Sequence, residues 1–240
     1  MNAAFEPGKP SVNVSHKKGL VPRLQLHVLT DHTSARGRDM LTIASAALDG
    51  GATVIQLRDK HASTRLLVEE GQALRTVTRE HGALLIVNDR IDVALAIDAD
   101  GVHIGQDEDM PVSLARQLLG PERILGISAG NRAEVHSAVA AHADYISIGP
   151  IQQTRVKADA GPPIGTELLK EIAVWVSIPI IAIGGITVED VKEIIQAGAI
   201  GVAVISAVVG AEDITTAAQS ISTALQEALA SQHTRKIDRA

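Results

Sequence analysis

Asp89, in the segment Val87-Asn88-Asp89-Arg90, and the run Asp107-Glu108-Asp109 supply carboxylates in a chain that contains no cysteine. Hard oxygen donors of this kind suit Mg2+, which takes one or two carboxylates and completes its shell with water and phosphate oxygens. The competing reading makes Asp89 a helix cap and the acidic run a solvated loop. Cations accompany these acids: Arg58 and Lys60 in Gln56-Leu57-Arg58-Asp59-Lys60, and Lys157 in Thr154-Arg155-Val156-Lys157. Beside a divalent metal they could stabilise charge on a departing diphosphate. Two further segments, Gly184-Gly185-Ile186-Thr187 and Ile205-Ser206-Ala207, have the makings of a phosphate site. Glycines admit the backbone close to an anion, and the N–H groups that open a helix hold it. A tight turn with Ser206 as a cap is the plainer reading, and the presence of both halves favours phosphate.

Each of these segments falls at the end of an apolar run. The runs are Leu24–Thr30, Thr53–Arg58, Ala83–Asn88, Gly101–Gly105, Ile124–Ala129, Tyr145–Pro150, Pro179–Gly185 and Gly201–Ser206. Several show little alternation, as in parallel strands buried on both faces. Helical patterns lie between and after them: Met40–Asp49, Ser63–Glu80, Asp92–Ile97, Val112–Leu119, Ala133–Ala141, Thr166–Val176, Val188–Ala197 and Ile214–Ala230. Thr187 ahead of Val188-Glu189-Asp190 reads as an N-cap, and Gly198, Gly50-Gly51 and Gly82 as helix stops. Eight strand–helix units predict an α/β fold, a single-domain (β/α)8 TIM barrel, with a doubly wound open sheet as the alternative. In such a barrel the carboxyl ends of the strands carry the active site, where these polar residues cluster. His103, inside a strand, is expected to pack or hydrogen-bond in the core rather than to touch substrate. Tyr145 should begin a strand, and Trp175 should pack a helix on the barrel. The other eight histidines show no zinc-like spacing.

Composition removes other classes. With 45% hydrophobic and 21% charged residues, a wholly disordered chain is excluded. One Trp, one Tyr, one Phe and a net charge of −6 argue against nucleic acid and anionic membrane as partners. Absence of Cys excludes disulfide scaffolds, thiol catalysis and Cys-ligated metals. No apolar run is long enough to span a membrane, and the polar N-terminus lacks a signal core. We therefore expect a cytoplasmic protein, a monomer or small homo-oligomer that acts on small molecules. Residues 1–22 should form a flexible arm, 23–232 the barrel and 233–240 a tail.

The combination and order of Gln56-Leu57-Arg58-Asp59-Lys60, Val87-Asn88-Asp89-Arg90, Asp100-Gly101-Val102-His103-Ile104-Gly105-Gln106, Ala182-Ile183-Gly184-Gly185-Ile186 and Gly201-Val202-Ala203-Val204-Ile205-Ser206 resembles the thiamine-phosphate synthase family. The resemblance runs from about Leu24 to Ala230. It implies a Mg2+-dependent TIM-barrel transferase that joins a hydroxymethylpyrimidine diphosphate to a thiazole phosphate. It also implies that Gln56, Leu57, Arg58, Asp59, Lys60, Asn88, Ser128 and Lys157 bind the pyrimidine diphosphate. Arg58, Lys60, Ser128 and Lys157 would serve catalysis, and Thr154, Val156, Gly185, Ile205 and Ser206 would line the thiazole-phosphate site. Asp89 would be one metal ligand. For the second, counting back from Met110-Pro111 selects Asp109 and counting on from Gln106 selects Glu108; we take Asp109. The family often has Thr-x-Thr-Lys where this chain has Thr154-Arg155-Val156-Lys157, so one phosphate-binding hydroxyl is missing. The alternatives are a thiazole tautomerase on the same barrel, another phosphosugar barrel enzyme, and an inactive phosphate-binding barrel.

Overall fold

A computed structural model describes residues 19–105, 110–154, 156 and 161–237, the last five by their backbone alone. The strands are β1 (Leu26–Leu29), β2 (Val54–Leu57), β3 (Leu84–Asn88), β4 (Gly101–Ile104), β5 (Ile124–Ala129), β6 (Tyr145–Ile148), β7 (Ile180–Ile183) and β8 (Gly201–Val204). They pair in parallel in sequence order, and β1 also pairs with β8. The sheet is therefore closed, which excludes the open doubly wound alternative. The helices are α1 (Met40–Asp49), α2 (Thr64–Glu80), α3 (Ile91–Ala96), α4 (Val112–Leu119), α5 (Arg132–Ala140), α6 (Glu167–Ala173), α7 (Val191–Gln196), α8 (Ser206–Val209) and α9 (Ile214–Ile237). None of the helices is long and apolar enough to cross a membrane, among the described residues.

Alternation along each strand sorts the side chains into two layers. Ile55, Leu57, Leu85, Val87, Val102, Ile104, Leu125 and Ile127 point outward and bury against Ile43, Leu67, Leu74 and Ala115 of the helices. Val54, Leu84, Ile86, Ile124, Tyr145 and Ile181 point inward and fill the lower lumen. Burying each such aliphatic side chain stabilises the fold by about 1.5–3 kcal/mol. At the amino ends of the strands, two equivalent braces appear. Arg75 of α2 holds Asp100, whose Oδ2 accepts from Leu85 N of β3; Arg116 of α4 holds Asp144, whose Oδ2 accepts from Leu125 N of β5.

Helix ends follow the expected chemistry. Thr187 and Asp190 form a capping box, with Thr187 N donating to Asp190 Oδ2 at 2.8 Å. The first turn there is a 3-10 turn (Val188–Asp190), and α7 begins only at Val191. Several expectations differ from the structure. Ser206 does not end a strand but opens the short helix α8. The last helix continues past Ala230 to Ile237, since no Gly or Pro interrupts it and Gln232 Nε2 ties it to Ile195 O of α7. The tail expected at 233–240 is thus helical up to 237, and 238–240 lie outside the described residues. The arm expected over residues 1–22 lies outside the described residues up to residue 18. Of the expected arm, residues 19–22 are described: Leu20 packs against the lumen cluster and a 3-10 turn runs over Val21–Leu24. Trp175 does not pack a helix on the barrel. It follows α6, is 38% exposed, and stacks on His136 of α5 with ring centroids 4.5 Å apart.

His27 of β1 is buried in the lumen, edge-on to Tyr145, and its Nε2 has no hydrogen-bond partner among the described residues. Burial pushes its pKa down to about 3, assisted by repulsion from His103 and opposed by a hydrogen bond to the Leu24 backbone. Between the ordinary value of 6.5 and about 3, the unfolded chain takes up a proton that the folded chain refuses. Stability contributed at this site is therefore complete above pH 6.5 and is lost as the pH falls. The loss reaches on the order of a few kcal/mol. His27→Leu removes this linkage. Its urea midpoint should fall less than that of the wild type between about pH 7 and pH 4.5; equal falls would show that His27 does not carry the effect.

Candidate active site

The carboxyl ends of the strands surround a cleft of about 570 Å³. Its wall is built strand by strand from inward-facing positions. From β2, Gln56 points in and Leu57 out, and Arg58 and Lys60, just past the strand, line the cleft again. Gln56 is 3% exposed, and its Oε1 has no partner among the described residues. A buried acceptor without a partner costs stability. From β3 come Asn88 and Asp89, from β4 His103, from β5 Ser128 and from β6 Ser147. The loop after β6 adds Thr154 and Val156, and the segments after β7 and β8 add Gly185, Ile205 and Ser206.

Asp89 adopts a left-handed backbone conformation, φ 59°, that Asp tolerates better than most residues. Its N–H donates to His103 O at 2.8 Å, its Oδ1 accepts from Gly105 N at 3.3 Å, and its Oδ2 accepts from the Asn88 amide. The carboxylate is thereby fixed at the cleft wall between β3 and β4. Among the described residues no group of three His, Cys, Asp or Glu side chains is arranged to hold a metal. The hard-oxygen donor present, which shares a depression with Lys60, suits Mg2+ completed by ligand phosphates better than a cage of protein ligands.

Arg58 is held from behind by a group that sequence reading missed. Thr30 Oγ1 accepts from Arg58 N at 2.8 Å, and Asp31 Oδ2 lies 3.2 Å from Arg58 Nη1. Both side chains of the ion pair are largely buried. The signal was a polar Thr30-Asp31 step at the end of the first strand. Asp31 contacts Arg58 and does not line the cleft, so its place in the sequence gives no sign of that contact.

On the opposite side, Gly184 and Gly185 have φ of 98° and 66°. A Cβ on Gly185 would stand 2.5 Å from Gln153 O, and one on Gly184 2.6 Å from Pro150 Cα. Glycine is therefore required at both on two counts, conformation and space. Ser206 begins α8, whose first N–H groups lack intrahelical acceptors. Arg38, from the loop after β1, caps the far end of this helix, donating to Val209 O at 2.6 Å and Ala211 O at 2.8 Å.

Of the sequence-derived site residues, Gln56, Arg58, Lys60, Asn88, Asp89, Ser128, Thr154, Val156, Gly185, Ile205 and Ser206 are brought together in this cleft. Two are not. Leu57 faces the helix layer, as strand alternation demands. Asp59 turns back on its own loop, its Oδ1 accepting from His61 N and Ala62 N and its Oδ2 lying 3.3 Å from His32 Nε2. It lines only the smaller adjoining depression, with Lys60, Asn88 and Asp89. Lys157, Asp109 and the competing Glu108 lie outside the described residues. His103, expected to be a core residue, is in the core and also reaches the cleft.

A family model described as thiamine monophosphate synthase matches residues 26–208. The chain is 54% identical to thiamine-phosphate synthase of Chloroflexus aurantiacus over 197 residues, 82% of this chain and 90% of that one. It is 51% identical to thiamine-phosphate synthase of Moorella thermoacetica over 201 residues, 84% of this chain and 95% of that one. Among solved structures it is similar to thiamine phosphate pyrophosphorylase from Pyrococcus furiosus, with a TM-score of 0.81, 43% identity, and coverage of 88% of this chain and 99% of that chain. With the match spanning the strands, their carboxyl-end loops and the phosphate-type segments after β7 and β8, the chain belongs to the thiamine monophosphate synthase family.

Proposed function

We propose that this chain joins 4-amino-2-methyl-5-hydroxymethylpyrimidine diphosphate to 4-methyl-5-hydroxyethylthiazole phosphate, or its carboxylated form, releasing diphosphate and yielding thiamine monophosphate. The observation that supports this reading is one cleft whose two sides carry groups suited to anions. Arg58, Lys60 and Asp89 stand on the β2–β3 side, and Gly185, Ile205 and Ser206 on the β7–β8 side. One substrate with a diphosphate and another with a single phosphate require that division. The chain works on these small molecules in the cytoplasm, as a monomer or small homo-oligomer.

The chemistry is a dissociative displacement. The C–O bond to the diphosphate breaks, the electron pair leaves with the diphosphate, and the aminopyrimidine ring delocalises the methylene cation. The thiazole nitrogen then forms the new C–N bond. Arg58 and Lys60, with Lys157, take up the charge that develops on the leaving group. Asp31 keeps the Arg58 guanidinium turned into the cleft. The Gln56 amide, on the inward face of β2, would meet the polar edge of the pyrimidine, and Asn88 lies on the next strand. The backbone around Gly185 and the start of α8 hold the thiazole phosphate, so both reacting atoms are positioned before the bond breaks. Asp89, with Asp109, would hold Mg2+, which neutralises diphosphate charge when bound. Val156 brings no hydroxyl to the thiazole side, leaving Thr154 and backbone groups for that contact. Thr154 Oγ1 accepts from Val156 N at 3.3 Å and so shapes this loop.

Mixing the protein with both substrates and Mg2+ should yield thiamine phosphate, read by fluorescence after oxidation to a thiochrome. Absence of product with every divalent metal tried would contradict the function. Asp89→Ala should lower turnover by ~100-fold or more, with at best partial recovery at high Mg2+. Asp109→Ala should behave alike and Glu108→Ala should not. Undiminished turnover of Asp89→Ala would remove Asp89 from the metal site.

Asp31→Asn keeps the shape of the side chain but removes the charge that holds Arg58. A charge-assisted hydrogen bond contributes about 1.5–3 kcal/mol, so kcat should fall by roughly 10-fold or more. The fall should vanish in an Arg58→Ala background. Additive losses would mean that Asp31 does not work through Arg58.

A further inference from the structure

Directly after β8 the chain makes a single helical turn, α8. Its N-cap Ile205 and its first residues, Ser206 and Ala207, line the cleft. One turn of helix has little stability of its own, because fixing its backbone costs more than its few hydrogen bonds contribute. Its place must be set from outside. Val208 and Val209 do part of this by burying fully in the layer between barrel and helices. Apolar burial is non-directional, so it holds the turn against the barrel without fixing how it is aimed. A second contact is directional. Arg38 Nη2 donates to Val209 O at 2.6 Å and Nη1 to Ala211 O at 2.8 Å. Gly210 N and Ala211 N return to Ser206 O and Val208 O at 3.1 Å each, so the guanidinium grips carbonyls on both sides of Gly210.

Arg38 is itself well anchored. Its Nε donates to Ala35 O at 3.0 Å and its backbone N–H to the same oxygen at 3.1 Å. Ala35 is buried in the core, and Arg36 and Gly37, with φ of 54° and 78°, turn the chain back so that Arg38 faces α8. Helix α1 starts two residues on, with Asp39 as its N-cap accepting from Thr42 N at 2.8 Å. All three guanidinium nitrogens are therefore engaged on backbone carbonyls. This is a planar fork that an ammonium group cannot reproduce. Arg38 does not line the cleft.

We propose that Arg38 is a positioning residue for the thiazole-phosphate side of the cleft. By holding the Val209 and Ala211 carbonyls it aims the turn that presents Ile205, Ser206 and Ala207, and so sets the affinity for the phosphate group without touching it. That the ligand there is a thiazole phosphate rests on the function proposed above, whereas the grip of Arg38 on α8 does not. Hydrogen bonds weaken steeply as their angle departs from linear, so a turn that tilts loses its phosphate contact first. The thiazole ring, met by aliphatic side chains such as Ile183, is less sensitive, because apolar contact has no preferred direction.

Steady-state kinetics and amide exchange test this. In Arg38→Gln the KM for the thiazole phosphate should rise by roughly 10-fold, and that for the pyrimidine diphosphate by less than about 2-fold. The thiazole alcohol, used as an inhibitor competing with the phosphate, should bind variant and wild type within about 2-fold of each other. Arg38→Lys, which keeps a cation but not the fork, should fall between the two, and it supplies the same comparison if the Gln variant does not fold. A residue that only stabilised the fold would lower the active fraction, hence kcat, and leave both KM values in place. That outcome, or equal losses for the phosphate and the alcohol, overturns the proposal. Hydrogen exchange of the full chain without ligand reads the turn itself. The Val208, Val209 and Gly210 amides, bonded to Ile205 O and Ser206 O, should exchange at least ~10-fold faster in Arg38→Gln, with the Val202 amide of β8 unchanged. Unchanged exchange at those three amides overturns the proposal even if the chain made no thiamine phosphate, a failure that would count against the proposed function instead.

Discussion

Eight parallel strands closed on themselves leave a lumen that side chains alone can fill, and strand alternation decides which ones do. Every second residue of each strand must face that lumen, so a polar residue at an inward position is committed to the interior or to the cleft above it. Here the inward positions are mostly aliphatic below, with Val54, Leu84, Ile86, Ile124 and Ile181 beside His27. Higher up they become Gln56, Asn88, His103, Ser128 and Ser147. The transition is bridged by Tyr145, which fits only because Gly126 yields its space. The floor of the cleft is therefore part of the core, and a change in one layer is felt in the other.

The same closure explains how distant loops come to act together. The loop after β1 contributes to both sides of the mouth. Asp31 fixes Arg58 on the neighbouring β2 loop, and Arg38 anchors the C-terminal end of α8 after β8. Because β1 lies between β8 and β2 in the barrel, one loop braces the β2 side and the β8 side of the mouth at once. Neither brace touches the cleft, yet each sets the direction of a group that does. Precision of this kind is what a two-substrate displacement needs, since the nucleophile must already be in place when the leaving group departs.

How much of this could be read from the sequence follows from what each signal depends on. The eight strands were visible as apolar runs, and their polar ends marked the cleft residues from Gln56 to Ser206, because both depend on local pattern. Strand ends are less legible, as at Ser206, because a residue that opens a helix directly after a strand continues the same apolar texture. Leu57 and Asp59 were included by contiguity with Gln56, Arg58 and Lys60, although alternation turns Leu57 away and a local turn captures Asp59. The roles of Asp31, Arg38 and Tyr145 depend on partners 27, 171–173 and 42 residues away, and no local pattern reports such contacts. His103 looked like a core residue because it is one; that its other edge meets Ser128 follows only from the register of β4 on β5.

Scarcity of aromatics acquires a physical meaning in this setting. The single Tyr is used inside the lumen and the single Trp on the outer surface, so neither offers a face for a substrate ring to stack on. Among the described residues, the cleft therefore offers a heteroaromatic substrate polar edges, aliphatic contacts such as Ile183 and Ile205, and groups suited to phosphates. Calorimetric titration of the protein with the pyrimidine diphosphate and with the free hydroxymethylpyrimidine, each with Mg2+, tests this most directly. The free alcohol should bind at least ~100-fold more weakly, a difference of about 2.7 kcal/mol. Comparable affinities would show that the ring, rather than the cations, Asp89 and the metal, supplies the binding energy.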